Sequence, residues 1–477
     1  MGVVDGDRGI EARFGGYVEA LSVALGHADR REPFCDYVRG LLLPIERKSV
    51  EPLAAHIEPG RTSARHQSLL HLVGVSPWRD EAVLEAVRGQ VLPALEAAGG
   101  IEAWIVDDTS FAKKGVHSVG VARQYSGQLG KQDNCQVAVS LSVASEQASL
   151  PVAWRLYLPQ AWATDARRRD KADVPEDVTF RTKPEIALEQ IGTAVAGGLP
   201  RGVVLADAGY GNDSGFRSAL AARGLLYAVG IQRSTTLWAP GTAPLPPKPR
   251  PGRGRPPTRL RRGKGRMPVS AKTLALGLPG KAWKGVTWRE GTHGLLRSRF
   301  ARLRVRPAHR DAARSEPWPE EWLLIEWPKG EQEPTKYWLS TLPAGTSLKD
   351  MVRVTKLRWR IERDYQELKQ EVGLGHFEGR GWRGFHHHAT LCIAAYGFLV
   401  RERLLFPLSA ATPSPFVPKP PLPDGFQPRG APDPHAKARA HVHRHASRPH
   451  RCPPRRAAAK MSMLSAADAR AGALVTQ

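Results

Sequence analysis

The order of apolar segments between residues 101 and 231 most constrains how this chain can fold. Strand-like segments come first, with the sequences AWIVDDTSF, SVGVARQY, QVAVSLSVAS and SLPVAWRLYL. Helix-like and strand-like segments then alternate, as KPEIALEQIGTAVAGG, GVVLAD, SGFRSALAARG and LLYAVGIQ. Strands in series followed by alternating strands and helices are typical of a mixed sheet with crossover helices. The sequence therefore predicts an α/β fold built around a mixed sheet.

A further helix is predicted at Arg358–Lys369, RWRIERDYQELK, a segment that lacks Gly and Pro and is rich in helix-forming residues. At about 100° per residue, four of its polar side chains would span only about 60° of the helix surface. These side chains are Arg358, Glu362, Tyr365 and Lys369. Glu367 would point the opposite way. A carboxylate between two cations fits a site for a metal ion and a polyanion, although ion pairs on a solvated face would give the same pattern.

The charge of the chain indicates the kind of partner it binds. Its 477 residues contain 70 Lys and Arg against 46 Asp and Glu, a net charge of +24, which favours nucleic acid as the partner. Its apolar runs are much shorter than the ~20 residues of a membrane-spanning helix, and its N-terminus lacks the apolar core of a secretory signal. Four scattered cysteines without a CxxC pair indicate reduced thiols. We therefore predict a cytoplasmic, nucleoid-associated protein with no membrane partner.

The text that begins at Arg358, RWRIERDYQELKQEVGLGHFEGRGWRGFHHHATLCIAAYGFL, is similar to the insertion sequence 701 family of DDE transposases, within the insertion sequence 4 superfamily. The spacing of Arg358, Glu362 and Lys369 is the core of that superfamily's signature, which opens with a Tyr where this chain has Thr355. The segments QYSGQLGKQDNCQVAV, LPQAWATDARRRDKADVP and FRTKPEIAL also resemble the family. The resemblance covers about residues 30 to 406.

The resemblance implies an RNase H-like fold of the retroviral-integrase type with three catalytic acids, of which Glu362 is the third. Upstream, Asp107 and Asp108 end the predicted strand AWIVDDTSF, and Asp207 ends the strand GVVLAD. Neighbouring residues on a strand point to opposite faces, so only one of the first pair is expected to face the site. In the family this acid precedes a Thr, here Thr109, which selects Asp108 and leaves Asp107 as the alternative. Taken singly, each Asp could instead be a helix cap or a turn residue.

The chemistry that the resemblance implies is metal-dependent cleavage of DNA at transposon ends, followed by transfer of the freed 3′ end to target DNA. Three clustered acids repel one another without cations, which favours a site for two Mg²⁺ ions, with Mn²⁺ able to substitute. The expected metal ligands are Asp108, Asp207 and Glu362. The expected DNA contacts on the helix are Arg358, Tyr365 and Lys369. The implied partners are double-stranded DNA, as terminal inverted repeats and target, and a second copy of the chain on paired ends.

Five parts of the chain are predicted. Residues 1–97 have apolar spacing typical of helices and form a domain that either binds DNA or packs as a cap. The other parts are the first part of the catalytic core (98–231), a basic linker with an antiparallel β-rich insertion that is expected to interrupt the sheet (232–342), the second part of the core with the Glu362 helix (343–406), and a disordered tail (407–477). The tail is rich in Pro, Arg and His and reads like an out-of-frame translation of GC-rich DNA.

The basic linker predicts DNA contact of its own. Lys248–Arg266 contains nine Lys or Arg and no acid, so it is not expected to fold alone. Within it, Arg253-Gly254-Arg255-Pro256 has the form of an AT-hook core. Arg253 and Arg255 are therefore expected to contact phosphates, with insertion into an A·T-rich minor groove as the narrower alternative.

Other functions fit the sequence less well. A catalytically inactive transposase remnant that only binds DNA is the main alternative, since Thr355 and the tail depart from the family. A glycosidase with paired carboxylates is disfavoured by the positive charge. A tyrosine recombinase is disfavoured because an Arg, His-x-x-Arg, Tyr order is missing late in the chain. The triplet His386–His388 cannot converge on one ion at about 100° per residue, so it is expected to make polar contacts near the DNA or the site.

Overall fold

The structure of the protein is a computed structural model. It describes residues 2–248, 258–263, 265–291 and 294–407. The contacts predicted for Arg253 and Arg255, and the predicted tail from residue 408 onward, lie outside these described residues.

The N-terminal part of the chain is helical, as its apolar spacing predicts. Its helices are α1 (Gly2–Ser22), α2 (Arg31–Leu42), α3 (Val50–Ile57), α4 (Thr62–Gly74) and α5 (Asp80–Ala97). Their apolar side chains belong to the same hydrophobic core as those of the sheet. The Tyr17 hydroxyl, for example, donates a hydrogen bond to the carbonyl oxygen of Ala394 at 2.8 Å. These helices therefore pack directly against the later part of the chain.

The central part of the chain alternates strands and helices. Its elements are β1 (Ala103–Ala112), β2 (Ala122–Ser126), β3 (Lys131–Ala144), β4 (Ser149–Leu156), α6 (Gln160–Ala163), α7 (Ala166–Lys171), α8 (Lys183–Ala196), β5 (Val203–Ala206), α9 (Ala208–Gly211), α10 (Ser214–Ala222) and β6 (Tyr227–Ile231). The following elements are β7 (Thr236–Trp238), β8 (Val269–Ser270), α11 (Ala271–Leu276), β9 (Lys284–Gly291), β10 (Gly294–Pro307), β11 (Glu321–Trp327), β12 (Lys336–Ser340), α12 (Leu348–Lys356), α13 (Trp359–Gln370) and α14 (Trp382–Leu405).

Within the described ranges the strands form a sheet in the order β2-β3-β1-β5-β6-β12-β11-β10-β7-β8, with β4 beside β3 and β9 beside β10. Strand β1 pairs antiparallel with β3 and parallel with β5, and β5 pairs parallel with β6. Parallel neighbours need a crossover connection, and helices α8 and α10 precede β5 and β6 accordingly. The mixed α/β sheet predicted from the order of the segments is confirmed.

The strands of residues 232–342 are antiparallel, as predicted, but they do not interrupt the sheet. Strand β12 pairs antiparallel with β6, with Leu339 opposite Val229, and β11 and β10 follow it outward. The free edge of β6 offers unpaired backbone groups, and the apolar strand KYWLS satisfies them. The insertion therefore extends the central sheet.

The histidine triplet lies in the core, which corrects the prediction that it contacts DNA or the site. All three rings are buried on α14. His386 Nδ1 lies 2.9 Å from the carbonyl oxygen of Trp382, and its Nε2 accepts a hydrogen bond from the Leu156 amide at 3.2 Å. His388 Nδ1 lies 3.0 Å from the Tyr37 hydroxyl. The helix is buried almost all round, so these side chains find their partners in the protein.

Of the described helices, none is both long and apolar enough to cross a membrane.

The buried histidines predict a loss of stability in acid. Burial lowers the pKa of His386 from 6.5 to about 4, and protonated Nε2 could no longer accept from the Leu156 amide. Because the folded pKa lies below the unfolded value, His386 contributes stability above pH 6.5 that is lost as the pH falls towards 4. In urea unfolding across this window, we expect the unfolding free energy of His386→Gln to decline less steeply than that of the wild type. An equal pH dependence of the unfolding free energy in the two proteins would contradict the conclusion that the His386 imidazole is buried and neutral.

Candidate active site at the open edge of β1

A cavity of about 850 Å³ lies beside β1, where the neighbouring strand β5 ends. The parallel pairing joins Ala103–Ile105 to Val203–Leu205, whereas β1 continues to Ala112. The second half of β1 therefore borders a notch in the sheet. The titratable side chains that line this notch are Asp107, Asp108, Tyr125, Tyr157, Lys183, Asp207, Tyr210, Arg358, Glu362, Tyr365 and Lys369.

The first two aspartates lie in the middle of β1, which corrects their predicted position at its end. The strand continues because its pairing with β3 extends as far as Ala112. Both carboxylates line the cavity, although the sequence predicts that only one can face it. Their side chains do alternate: Asp107 contacts α13 and Asp108 contacts the start of α8. The cavity reaches round the open edge of β1, so both faces of the strand contribute to it.

The Asp107 carboxylate is mostly buried, with its side chain 13% exposed, and is fixed by two contacts. Its Oδ2 accepts a hydrogen bond from Arg358 Nη2 at 2.7 Å, and its Oδ1 accepts one from the Asp108 amide at 2.9 Å. Burial raises the pKa of Asp107 to about 7, and the charges of Asp207 and Asp108 add to this rise while Arg358 opposes it. This carboxyl group is thus held in a protein environment rather than in solvent.

The Asp108 carboxylate is more accessible. Its side chain is 28% exposed, compared with 13% for Asp107. Its Oδ2 accepts a hydrogen bond from Lys183 Nζ at 3.0 Å, and the Tyr210 hydroxyl lies 3.4 Å from the same oxygen. Asp108 therefore faces the cavity with a cation as its main partner.

Lys183 is the charged residue lining this cavity that the sequence did not lead us to expect. It is the first residue of α8, whose start is fixed by a capping box between Thr182 and Glu185. A cation at a helix N-terminus is electrostatically unfavourable, so its position there was a usable signal for a nearby carboxylate. That carboxylate, Asp108, is 75 residues away along the chain.

Asp207 caps the short helix α9, immediately after β5. Its Oδ1 accepts a hydrogen bond from the Gly209 amide at 2.8 Å, and its carbonyl oxygen accepts one from the Gly211 amide at 2.8 Å. The helix-cap reading of this residue is therefore correct, and the same side chain also lines the cavity. The cap therefore fixes a carboxylate that lines the cavity.

Gly211 lets α9 pack closely against β6, and the position of Asp207 depends on that packing. A Cβ at this position would overlap the carbonyl oxygen of Gly230 on β6, so Gly211→Ala must push α9 away and move Asp207 with it. We expect a loss of about 1–3 kcal/mol in unfolding free energy, measured by urea unfolding. Gly192→Ala on α8, where a Cβ meets open space, is the matched control and should be neutral or stabilising. An unchanged Gly211→Ala protein would show that α9 is loosely packed.

The predicted common face on α13 is confirmed. Arg358, Glu362, Tyr365 and Lys369 all line the cavity. Glu367 points away and pairs with Arg363 and Arg403, each at 2.6 Å. The Glu362 side chain is 67% exposed, and its Oε1 lies 3.2 Å from Arg358 Nη1. Arg358 therefore bridges Glu362 and Asp107.

Tyr365 and Lys369 are engaged inside the protein, which corrects the expectation that Tyr365 is open to DNA. The Tyr365 side chain is buried, and its hydroxyl shares a hydrogen bond with Ser140 at 2.7 Å. Lys369 Nζ donates to the carbonyl oxygen of Ser110 at 2.8 Å and to Gln128 at 3.3 Å. Burial lowers the pKa of Lys369 to about 8. Tyr365 therefore attaches α13 to β3, and Lys369 attaches it to β1, the strand that carries Asp107 and Asp108.

A second cavity, of about 420 Å³, lies on the other side of the same acids. Asp207, Arg358 and Glu362 line both cavities. Trp359 lines the second, with the Arg289 guanidinium 3.9 Å from its ring centroid. Thr355 also lines the second cavity, so its departure from the signature Tyr changes this wall and not the lining of the first.

The chemistry of the acids fits a divalent cation, although they are not assembled around one. In the part of the chain that the structure describes, no three carboxylate, His or Cys side chains converge closely enough to hold a metal ion. Arg358 pairs with Asp107 and Glu362, and Lys183 pairs with Asp108. The cavity nevertheless brings together four carboxylates from three parts of the chain, and carboxylate oxygen is the ligand that Mg²⁺ prefers.

Comparison with known proteins identifies the family. The family model described as a DDE superfamily endonuclease matches residues 20–295, more than half of the chain. The protein belongs to this family. The matched region contains Asp107, Asp108 and Asp207 and ends before α13. The DDE family predicted from the sequence is confirmed.

One curated relative supports the same assignment. The chain is 30% identical over 202 residues to a protein of Microchaete diplosiphon named probable transposase for insertion sequence element IS701. The alignment covers 40% of this chain and 47% of that protein, so the chain spans about half the length of this relative.

Proposed function

We propose that this DDE-family protein is a transposase that cuts DNA at the ends of its own element and joins the freed ends to target DNA, in cut-and-paste transposition with Mg²⁺ or Mn²⁺. The observation that carries the proposal is the convergence of Asp108, Asp207 and Glu362 on one cavity flanked by cations. These acids come from a strand, a strand end and a helix that are far apart in sequence. The same convergence supports an RNase H-like arrangement of the core.

We assign the first acid to Asp108 rather than Asp107. Asp108 is more exposed, and its partner Lys183 is a single flexible side chain. Asp107 is fixed by Arg358 and by a backbone amide, and burial keeps its pKa near 7. Asp107 is therefore suited to orienting Arg358, and Asp108 to coordinating a cation.

Asp108, Asp207 and Glu362 would hold the divalent ions, which when bound supply charge stabilisation and a nucleophilic water for phosphodiester hydrolysis. Arg358 is placed to hold a phosphate, because its guanidinium fork can exchange one carboxylate for a phosphate oxygen. Lys369 and Tyr365 fix α13 against the strands, which keeps Glu362 over the cavity. The freed 3′ hydroxyl of the cut strand would then attack a target phosphodiester in the same cavity, and the target strand's own 3′ oxygen would leave as the new bond to phosphorus forms.

The proposed partners are terminal inverted repeats and target DNA, since the net charge of +24 favours a polyanion. Two copies would act on paired ends, in the cytoplasm at the nucleoid. We retain residues 1–97 as a contact region for terminal DNA, attached rigidly through the shared core. We likewise propose the other predicted parts of the chain, with bounds 98–231, 232–342, 343–406 and 407–477.

The proposal is tested by incubating the full-length protein with a labelled duplex that spans one end of its element. With Mg²⁺ we expect a cut at the element boundary that chelation by EDTA abolishes, and with added target plasmid we expect joined products. Binding of the duplex without any cut in Mg²⁺ or Mn²⁺ would instead support a catalytically inactive remnant. The structure favours this alternative over others, because Asp108 is paired with Lys183 and Asp107 with Arg358.

A further inference from the structure

The Lys183–Asp108 pair is poorly suited to a structural role. Both side chains are about one-third exposed, at 30% and 28%. Pairs of this exposure contribute about 0–1 kcal/mol to stability. The lysine also stands at the N-terminus of α8, where the helix dipole disfavours a cation. The position costs some stability and the ion pair offsets little of that cost, which favours a role for Lys183 in the cavity.

From this geometry we infer that Lys183 is the resident counter-ion of Asp108 and exchanges this carboxylate for a DNA phosphate when the substrate enters. The inference rests on the proposed function. In the DNA-free protein the ammonium group occupies Asp108 Oδ2 and so competes with a divalent cation for it. A phosphate in the cavity would draw the ammonium away and release the carboxylate. Binding of DNA and loading of the cation would thereby be coupled.

The surroundings of Lys183 allow this exchange. The capping box fixes its backbone, while the four-carbon side chain remains free to swing within the cavity that it lines. The Tyr157 ring, with its centroid 6.0 Å from Nζ, offers a second surface for the ammonium group. The Tyr210 hydroxyl stays near Asp108 Oδ2 when the lysine leaves.

The Arg358–Asp107 pair on the other face of β1 makes a useful contrast. Both of its side chains are less exposed, at 24% and 13%, and Asp107 is also held by a backbone amide. Arg358 keeps a second carboxylate partner in Glu362. This pair is therefore less free to open than the Lys183–Asp108 pair, and the departure of Lys183 is what exposes Asp108 to the cavity.

The inference is tested by Mn²⁺ titration of the full-length, DNA-free protein, with free Mn²⁺ followed by electron paramagnetic resonance. Lys183→Met should bind Mn²⁺ about fivefold more tightly than the wild type, since a competing pair worth up to about 1 kcal/mol is removed. Lys183→Gln should behave in the same way, and Lys183→Arg like the wild type. Lys171→Met, at an exposed position on α7, makes the same charge change and should have no effect.

A second measurement adds an element-end duplex. The wild type should then gain Mn²⁺ affinity and approach Lys183→Met, whose own affinity should change little. Lys183→Met should also bind the duplex more weakly, with a salt dependence smaller by about one phosphate contact. Thermal unfolding of each variant confirms that the fold is kept.

The outcomes separate the inference from the proposed function. Equal Mn²⁺ affinities for the wild type, Lys183→Met and Lys183→Gln, with binding lost in Asp207→Asn, would overturn the role of Lys183 alone. Absence of Mn²⁺ binding in every protein, with and without DNA, would overturn the metal site and the inference together. Tighter Mn²⁺ binding in Lys183→Met and Lys183→Gln but not in Lys171→Met supports the inference.

Discussion

Asp207→Asn and Glu362→Gln proteins are expected to bind an element-end duplex as the wild type does and to cut it at least about 10³-fold more slowly. Each change replaces a carboxylate oxygen by an amide without changing the size of the side chain. The cation charge that these oxygens hold is worth several kcal/mol in phosphodiester cleavage, and about 4 kcal/mol corresponds to this factor. Cleavage is measured on gels under single-turnover conditions, and binding by fluorescence anisotropy.

The control for this pair is Glu371→Gln, an exposed glutamate at the end of α13 that does not line the cavity among the described residues. It removes the same charge from the same helix and should cut at the wild-type rate. Wild-type cutting by Asp207→Asn or Glu362→Gln would refute the assignment of that acid. A variant that loses both duplex binding and thermal stability would show that its carboxylate has a structural role. For Asp207, that role would be the cap on α9.

The parts of the site that the sequence predicts are those set by local geometry. The four residues of α13 share a face because the helical period alone determines their directions. Asp207 follows a short apolar strand and caps the next helix, which the sequence VVLADAGYG also indicates. The expected roles of these residues come from the resemblance to the family, because helical or strand periodicity alone does not connect acids that are far apart in the sequence.

The parts that the sequence does not predict depend on contacts between distant segments. Whether β1 ends with Asp107 and Asp108 or continues to Ala112 is decided by its pairing with β3, and not by its own residues. The notch that exposes both faces of β1 arises because β5 is shorter. Lys183 enters the site through a helix that begins 75 residues after Asp108. The edge of β6 likewise recruits β12 across more than 100 residues.

Asp107→Asn and Asp108→Asn are expected to have different consequences, although the two residues are neighbours. Asp108→Asn should lower cleavage by at least about 10³-fold, like the other two acids, and leave stability nearly unchanged, because its ion pair with Lys183 is exposed. Asp107→Asn should lower cleavage by about 10²-fold through a misplaced Arg358. The two variants are compared in the same single-turnover assay.

Stability as a function of pH separates the two aspartates independently of cleavage. Burial raises the pKa of Asp107 from 3.8 to about 7, so the folded protein holds this proton where the unfolded chain has lost it. The stability due to Asp107 is complete below pH 3.8 and is lost as the pH rises through 7. Asp107→Asn lacks this decline, and its unfolding free energy relative to the wild type should rise between these pH values. The buried histidines titrate in both proteins and cancel in the difference.

The reverse pattern would exchange the two roles. If Asp107→Asn abolished cleavage and Mn²⁺ binding while Asp108→Asn cut normally, Asp107 would be the first acid and Arg358 its competing cation. Lys183 would then have no carboxylate to release, because its partner would lie outside the cation site. The pH dependence of stability would still follow Asp107, since it is set by burial and not by catalysis. Cleavage and stability together therefore assign both carboxylates.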